Sequence, residues 1–224
     1  MSGNHQYHGA QAVALWFFIL FVAVLVIDVL FTLWPWPDGP RGPEALHTII
    51  LRESALLETL GDGASLQVIH TIYEWLYRVV FVWTGLDELM RRAQDPATLT
   101  GMDRFMRAFV TSNWDFLATA LYGLRLFAMR MGVVILAMPL FLTTAIGATA
   151  DGLVTWYLRR SGAGRESGFI YHRAKRGLWL LVIALWVVYL IPPVIFDPRL
   201  VVAPALLLFG LLVRTTVAWF KKYV

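Results

Sequence analysis

Two long apolar runs are separated by the polar segment Arg159-Arg-Ser-Gly-Ala-Gly-Arg-Glu-Ser-Gly-Phe-Ile-Tyr-His-Arg-Ala-Lys-Arg176. The segment holds six of the chain's 19 Lys and Arg residues, and Glu166 is its single acid. Short loops with such an excess of Lys and Arg stay on the cytoplasmic side of a membrane. The segment therefore predicts the orientation of every apolar run around it.

The composition is typical of an integral membrane protein. Of 224 residues, 58% are hydrophobic and 15% are charged, and the mean hydropathy is +0.64, whereas soluble domains carry about 25% charged residues. There is no cysteine, which excludes disulfides, thiolate nucleophiles and cysteine-ligated metals. The net charge of +4 is divided unevenly between the two sides of the predicted membrane. We do not interpret it as a sign of direct nucleic-acid binding.

Four apolar runs predict an all-α integral membrane protein with four transmembrane helices, because about 20 apolar residues cross the hydrocarbon core. A helical periplasmic region is expected between the first and second helices. Both termini are then cytoplasmic, in a multi-pass protein of a bacterial inner membrane. The predicted segments are the cytoplasmic N-terminus (1–11), transmembrane helix 1 (12–34), the periplasmic helical region (35–125), transmembrane helix 2 (126–158), the basic cytoplasmic loop (159–176), transmembrane helix 3 (177–196), transmembrane helix 4 (200–220) and the cytoplasmic tail (221–224).

The periplasmic region has helical periodicity and no alternating strand pattern. An apolar stripe predicts a helix over 43–60, Gly61-Asp62-Gly63 ends it, and a longer helix is predicted over 64–93. Within the longer helix, Glu74 precedes Arg78 by four residues, the favourable order for a helical ion pair. We expect these helices either to pack on their neighbours or to lie in the headgroup layer.

The chain between the periplasmic helices and the second span is predicted to be one continuous helix. Thr100 has the features of its N-cap. Arg125 and Arg130, near the membrane entrance, are expected to reach the headgroups by snorkelling. Pro139, inside the second span, should kink it.

Besides Arg130 at the membrane entrance of the second span, three charged residues fall within the apolar runs, namely Asp28, Asp151 and Arg214. Such groups are costly in a membrane unless they are paired, protonated or close to headgroups. Asp28 is expected near the outer face, at the interface or against a neighbouring helix, and Asp151 near the inner face, so the two should not pair. Arg214 is close enough to the inner end of its span to snorkel. An alternative is that Asp28 and Asp151 serve a small transporter or channel.

The sequence contains no motif that predicts catalysis. The glycines from Gly162 to Gly168 lack the Gly-Lys-Ser/Thr ending of a phosphate loop and the spacing of a dinucleotide site. Neither Gly-x-Ser-x-Gly nor His-Glu-x-x-His occurs. His70 beside Glu74 has no second pair to complete a metal site. We therefore expect no enzyme, no catalytic residue, no metal and no cofactor.

The basic loop has two interpretations, which the sequence leaves open. Its cations can bind anionic lipid, with about 1 kcal/mol for each basic residue. Alternatively, Tyr171, His172 and Arg173 can dock a cytoplasmic partner. The residues expected to contact the lipid or the partner are Arg159, Arg160, Arg165, Phe169, Tyr171, His172, Arg173, Lys175 and Arg176.

The segment Glu166-Ser-Gly-Phe-Ile-Tyr-His-Arg-Ala-Lys-Arg176, between the second and third spans, resembles a family of small membrane proteins encoded in integrating conjugative elements, the DUF4400 type. The order of spans and outer helices is similar as well. Such proteins are typically encoded near the coupling ATPase of a conjugative type IV secretion apparatus. The resemblance implies a non-enzymatic inner-membrane component of DNA transfer that assists or scaffolds that ATPase. The implied partners are membrane lipids and other membrane subunits, and a homo-oligomer is compatible with this plan.

Overall fold

The computed structural model describes residues 4–38, 41–94, 101–162 and 168–220, and within these ranges every regular element is a helix. Two of the helices continue directly into a short π-helix. The elements are α1 (Asn4–Leu33), α2 (Glu44–Leu60), α3 (Gly63–Tyr77) with the π-helix Arg78–Val82, α4 (Leu86–Gln94), α5 (Gly101–Ser112), α6 (Trp114–Ser161), α7 (Gly168–Ala184) with the π-helix Leu185–Leu190, and α8 (Pro198–Ala218).

The contacts divide the chain into two compact units. Unit 1 comprises Met1–Gly132 together with Ile191–Ile195, and unit 2 comprises Val133–Leu190 together with Phe196–Val224. In unit 1, the first part of α6 is buried against α1 and α2. The rings of Phe21 and Phe127 meet edge to face at 5.8 Å, and His47 stacks on Tyr122 at 5.1 Å between ring centroids.

Local chemistry explains where α3 and α4 begin. Asp62 caps α3, because its Oδ1 accepts hydrogen bonds from the backbone N–H and the hydroxyl of Ser65, at 2.9 and 2.6 Å. These bonds lower the pKa of Asp62, the hydroxyl bond contributing most. Gly85 adopts a φ of 77°, a conformation that residues with a side chain rarely adopt, just before α4 begins.

The helix predicted over 64–93 is therefore divided into α3, its π-helical continuation and α4. A hydrogen bond bridges the division, since the Tyr77 hydroxyl donates to Asp87 Oδ1 at 2.5 Å. This hydrogen bond, followed by burial, raises the pKa of Tyr77 to about 12. The predicted continuous helix from Thr100 to Arg130 is also interrupted, because α5 ends at Ser112 and α6 begins at Trp114. The proposed cap, Thr100, lies outside the described residues.

Within the described part of the chain, two helices are long and apolar enough to cross a membrane. They are Trp114–Ser161 and Pro198–Ala218, each with a mean hydropathy of 2.1 over its most apolar window. α1 contributes a shorter apolar section, Phe18–Leu33. Pro139 lies inside α6, which continues through it. The all-helical class is confirmed for the described residues, α6 and α8 are candidate spans, and the four-span topology stays a prediction.

In unit 2, glycines allow close approach between helices. A Cβ atom at Gly152 would lie 2.8 Å from the Val217 side chain, and one at Gly177 would lie 2.9 Å from Leu212. Small residues at helix contacts are typical of packing inside membranes, where backbones must approach closely. The outer surface of α8 remains apolar and exposed, with Leu207 at 73% exposure.

Candidate functional site

Arg130 lies in a buried polar cluster of unit 1. Its Nη2 donates to Glu53 Oε1 at 2.6 Å, and its Nε donates to Glu53 Oε2 at 3.2 Å. The two side chains are 1% and 4% exposed. Two parallel hydrogen bonds of this kind form the strong, geometrically specific pairing of a guanidinium with a carboxylate. The prediction that Arg130 snorkels to headgroups is therefore wrong, because Glu53 provides its counter-charge inside the protein.

Arg130 also binds the segment Ile191–Ile195, which follows the π-helical end of α7. Its Nη1 donates to the Pro192 carbonyl and its Nη2 to the Val194 carbonyl, both at 2.6 Å. Irregular backbone at membrane depth is tolerated only where its polar groups are satisfied. Arg130 supplies these two carbonyls with donors, and so fixes this connecting segment within unit 1.

Asp28 occupies the same unit and is fully buried. Among the described residues, neither of its carboxylate oxygens has a hydrogen-bond partner. The carboxylate fits because α6 has a glycine opposite it, and a Cβ atom at Gly123 would overlap Asp28 Oδ2. Nearby, Thr32 donates to the Asp28 carbonyl at 2.9 Å, and its hydroxyl lies 3.2 Å from that of Thr119. Arg130 acts on Asp28 electrostatically.

Asp151 and Arg214 form a contact between α6 and α8 in unit 2. The Arg214 Nε donates to Asp151 Oδ2, and both side chains are about half exposed. Arg214 was predicted to reach the headgroups by snorkelling, but in the structure it pairs with Asp151 instead. The partners are 63 residues apart in sequence. Asp28 and Asp151 belong to different units, each with its own neighbours.

The cytoplasmic end predicted for α6 carries two arginines that stack on tryptophans. The guanidinium of Arg159 lies 3.7 Å from the ring centroid of Trp219, and that of Arg160 lies 5.4 Å from Trp156. Trp156 in turn donates its indole N–H to the Phe220 carbonyl at 3.0 Å. These contacts hold the end of α6 against the end of α8.

The first turns of α7 have an inner and an outer side. Tyr171 is half-buried and meets Phe220 edge to face at 5.9 Å, and Ala174 is buried. The exposed side chains at three- and four-residue spacing share the opposite side. They form what we call the α7 face, composed of Phe169, His172, Arg173 and Arg176.

The structure therefore separates Tyr171 from Arg173, one of the two residues with which it was grouped in the docking hypothesis. The Tyr171 ring still meets the His172 ring edge to face, at 5.3 Å between centroids. Arg173 stacks over the Phe169 ring at 5.2 Å, within the α7 face. Lys175 is exposed to one side of this face. Arg165 lies outside the described residues.

On α3, Glu74 has a different partner from the predicted Arg78. Glu74 lies 3.4 Å from His70, and no ion pair between Glu74 and Arg78 occurs in the described structure. No group of three or more metal-ligating side chains comes together in the parts of the chain that the structure describes.

Sequence reasoning missed Glu53, Thr32 and Thr119 as members of the buried cluster. For Glu53 a signal existed, because it lies at helical spacing within the apolar stripe of α2, between Ile49 and Leu57. An acid in such a stripe predicts a buried partner. Nothing in the sequence near Thr32 or Thr119 distinguishes them from other threonines.

One known protein family matches most of the chain. The family described as IncC plasmid conjugative DNA transfer protein DtrJ-like matches residues 42–221, from just before α2 to just past the end of α8. No curated protein and no solved structure matches the chain at a significant level. The predicted relation to conjugation is confirmed, and the narrower DUF4400 assignment stays a prediction. The chain belongs to the DtrJ-like family of IncC plasmid conjugative DNA transfer proteins.

Proposed function

We propose that this chain is a non-enzymatic, four-span inner-membrane component of a conjugative type IV secretion system, and that it assists or scaffolds the coupling ATPase. Family membership supports the role in DNA transfer. The two helices of spanning length and the apolar exposed surface of α8 support the membrane location. The proposal has both termini in the cytoplasm, because the basic segment 159–176 lies between two spans.

The α7 face is the observation that carries the docking part of the proposal. It combines an exposed aromatic ring, an imidazole and two guanidinium groups on one side of a helix whose other side is packed. Among the described residues, no acid pairs with Arg173 or Arg176. A guanidinium recognises a carboxylate through two parallel hydrogen bonds, which an ammonium cannot reproduce. The partner surface that fits is therefore acidic, on a cytoplasmic subunit such as the coupling ATPase.

The test uses changes that keep the charge. Exchanging Arg173 and Arg176 for lysine preserves membrane insertion and attraction to anionic lipid, since both depend on the number of charges. We expect DNA transfer from donor cells to fall by about tenfold or more, because losing bidentate pairing costs over 1.4 kcal/mol. Co-purification of the coupling ATPase in mild detergent should fall in parallel. Lys175→Arg is the matched control, because it also keeps the charge but lies beside the α7 face.

Shape is tested separately by replacing Phe169 and His172 with alanine. This pair leaves every arginine in place, so the docking proposal predicts lower transfer at an unchanged protein level. If the lysine exchange and the alanine pair both leave transfer and co-purification unchanged, the α7 face does not dock a partner. The basic segment would then act as a topological anchor.

The alternative function, a small transporter or channel component, has one observation in its favour. The Asp28 carboxylate is buried without a hydrogen-bond partner in the described structure, as in a site that exchanges protons or ions. Asp151 is instead engaged by Arg214. Asp28→Asn removes the charge and keeps the shape, so our proposal expects near-normal DNA transfer. Complete loss of transfer at a normal protein level would favour the transporter.

A further inference from the structure

An apolar cleft lies among the ends of α6, α7 and α8 in unit 2. It has a volume of about 260 Å³. The glycine contacts of Gly152 with Val217 and of Gly177 with Leu212 bring the three helices together there. The residues that line it are Leu153, Trp156, Tyr171, Thr216, Val217 and Phe220.

The cleft offers little to a polar ligand. The Thr216 hydroxyl donates to the Leu212 carbonyl at 2.7 Å, and the Trp156 indole N–H is used by the Phe220 carbonyl. Sites for soluble small molecules combine an apolar lining with a few convergent polar groups, and they occupy roughly 300–1,000 Å³. The cleft is smaller, and of the three polar side-chain groups in its lining two are already used, which leaves the Tyr171 hydroxyl. The cleft therefore suits a hydrocarbon chain.

Two cations stack on tryptophans that line this apolar cleft or neighbour its lining in sequence. Arg160 stacks over Trp156, which lines the cleft, and Arg159 stacks over Trp219, which precedes the lining residue Phe220. Stacking occupies the face of a guanidinium and leaves its N–H groups directed outward in the plane, where they can bind an oxyanion. In the described part of the chain, no carboxylate pairs with either arginine.

We infer that this cleft is a binding site for an anionic phospholipid, with an acyl chain in the cleft and the phosphate on Arg159 and Arg160. The apolar lining selects the chain and the arginines select the charge, so a zwitterionic lipid of the same chain length binds more weakly. The site is distinct from the α7 face, because Tyr171 is directed to the cleft while Phe169 and Arg173 are on the exposed side. It depends on the proposed membrane location, and its test does not involve the protein partner.

The test adds phosphatidylglycerol or phosphatidylcholine with identical acyl chains to the delipidated full-length protein in mild detergent. Lipid retention is counted by native mass spectrometry, and the thermal unfolding midpoint is measured at each lipid concentration. We expect the wild-type protein to prefer phosphatidylglycerol by about tenfold or more. Arg159→Gln with Arg160→Gln should abolish this preference. Lys175→Gln with Arg176→Gln removes the same number of charges outside the cleft and should retain it.

A second variant tests the apolar half of the site and keeps both arginines. Leu153→Trp fills the cleft from a half-exposed position, so it should reduce retention of both lipids while the unfolding midpoint without lipid stays unchanged. The inference is overturned if the wild-type protein shows no preference. It is also overturned if the two glutamine pairs lose the preference equally, since binding would then depend only on charge number.

Discussion

Arg130 on α6 and Glu53 on α2 form a buried, two-pronged ion pair across 77 residues of sequence. Burying two charges is costly, and the attraction compensates for it only when the remaining polar groups are also satisfied. Here the guanidinium additionally binds the carbonyls of Pro192 and Val194. The pair therefore joins α2, α6 and the connection that follows the π-helical end of α7.

Breaking this pair from one side should be strongly destabilising. Glu53→Gln leaves the Arg130 charge buried without its hydrogen-bonded counter-charge, and we expect a loss of about 3–5 kcal/mol. Glu44→Gln is the matched control, because Glu44 is largely exposed and pairs with His47 at the surface. It should change stability by less than about 0.5 kcal/mol. The thermal unfolding midpoint in mild detergent measures both, and equal effects would contradict the role given to the buried pair.

Because Gly123 lies against Asp28, the loss of stability caused by a substitution at Gly123 should be reduced by a second substitution at Asp28. Gly123→Ala forces a methyl group onto the Asp28 carboxylate, which we expect to cost about 1–3 kcal/mol. Adding Asp28→Ala removes the obstructing atoms, so the double variant should be more stable than Gly123→Ala alone. Gly147→Ala is the control, since a Cβ atom there meets nothing within 4 Å. A purely additive double variant would show that the two positions do not contact each other.

The pair between Asp151 and Arg214 should matter for the amount of protein in the membrane. Arg214→Gln leaves an unpaired acid in a predicted span. The cost should be below the figure of about 2.5–3.5 kcal/mol for a charge at a span centre, because Asp151 is expected near the inner face. Asp151→Asn in the same chain should restore the level, because no lone charge remains. Arg199→Gln, at the start of α8, serves as a control and should have little effect. Quantitative immunoblots of membrane fractions measure the levels, and failure of the double variant to recover would count against pairing.

Orientation can be tested with a reporter that is active only in the periplasm. Fusions after Asp62 or Asp95 should be active, and fusions after Gly164 or Val224 should be inactive, because the basic segment is predicted to stay in the cytoplasm. Fusion protein levels are compared by immunoblot, so that an inactive fusion is not confused with a degraded one. Activity at Gly164 would overturn the orientation of all four predicted spans.

Features that depend on local sequence were predictable. The helix predicted over 43–60 corresponds to α2 (Glu44–Leu60), and it ends at Gly61-Asp62-Gly63 as expected, with Gly63 already the first residue of α3. Apolar periodicity and the conformations of glycine and proline act over a few residues, so a single sequence contains the information. Gly85 also acts locally, because its positive φ ends the preceding helical segment. From the sequence alone, however, it could not be told apart from a glycine that simply continues a helix.

Features that depend on packing were not predictable to the same degree. Arg130 was expected at headgroups because its partner, Glu53, lies on a different helix. Arg214 was expected to snorkel for the same reason, since Asp151 is far away in sequence. The separation of Tyr171 from Arg173 follows from which side of α7 is packed, and periodicity becomes informative only when that side is known.

The proposal that the α7 face docks a cytoplasmic subunit is tested most directly by photocrosslinking in cells that carry the whole conjugation system. A photoreactive amino acid replaces Phe169, on the α7 face, or Val188, which is similarly exposed but lies in the predicted third span. We predict a crosslink from position 169 to a cytoplasmic or cytoplasm-facing subunit of the DNA-transfer apparatus, and none to that subunit from position 188. Crosslinks from position 169 to lipid alone, or the same products from both positions, would contradict the proposal.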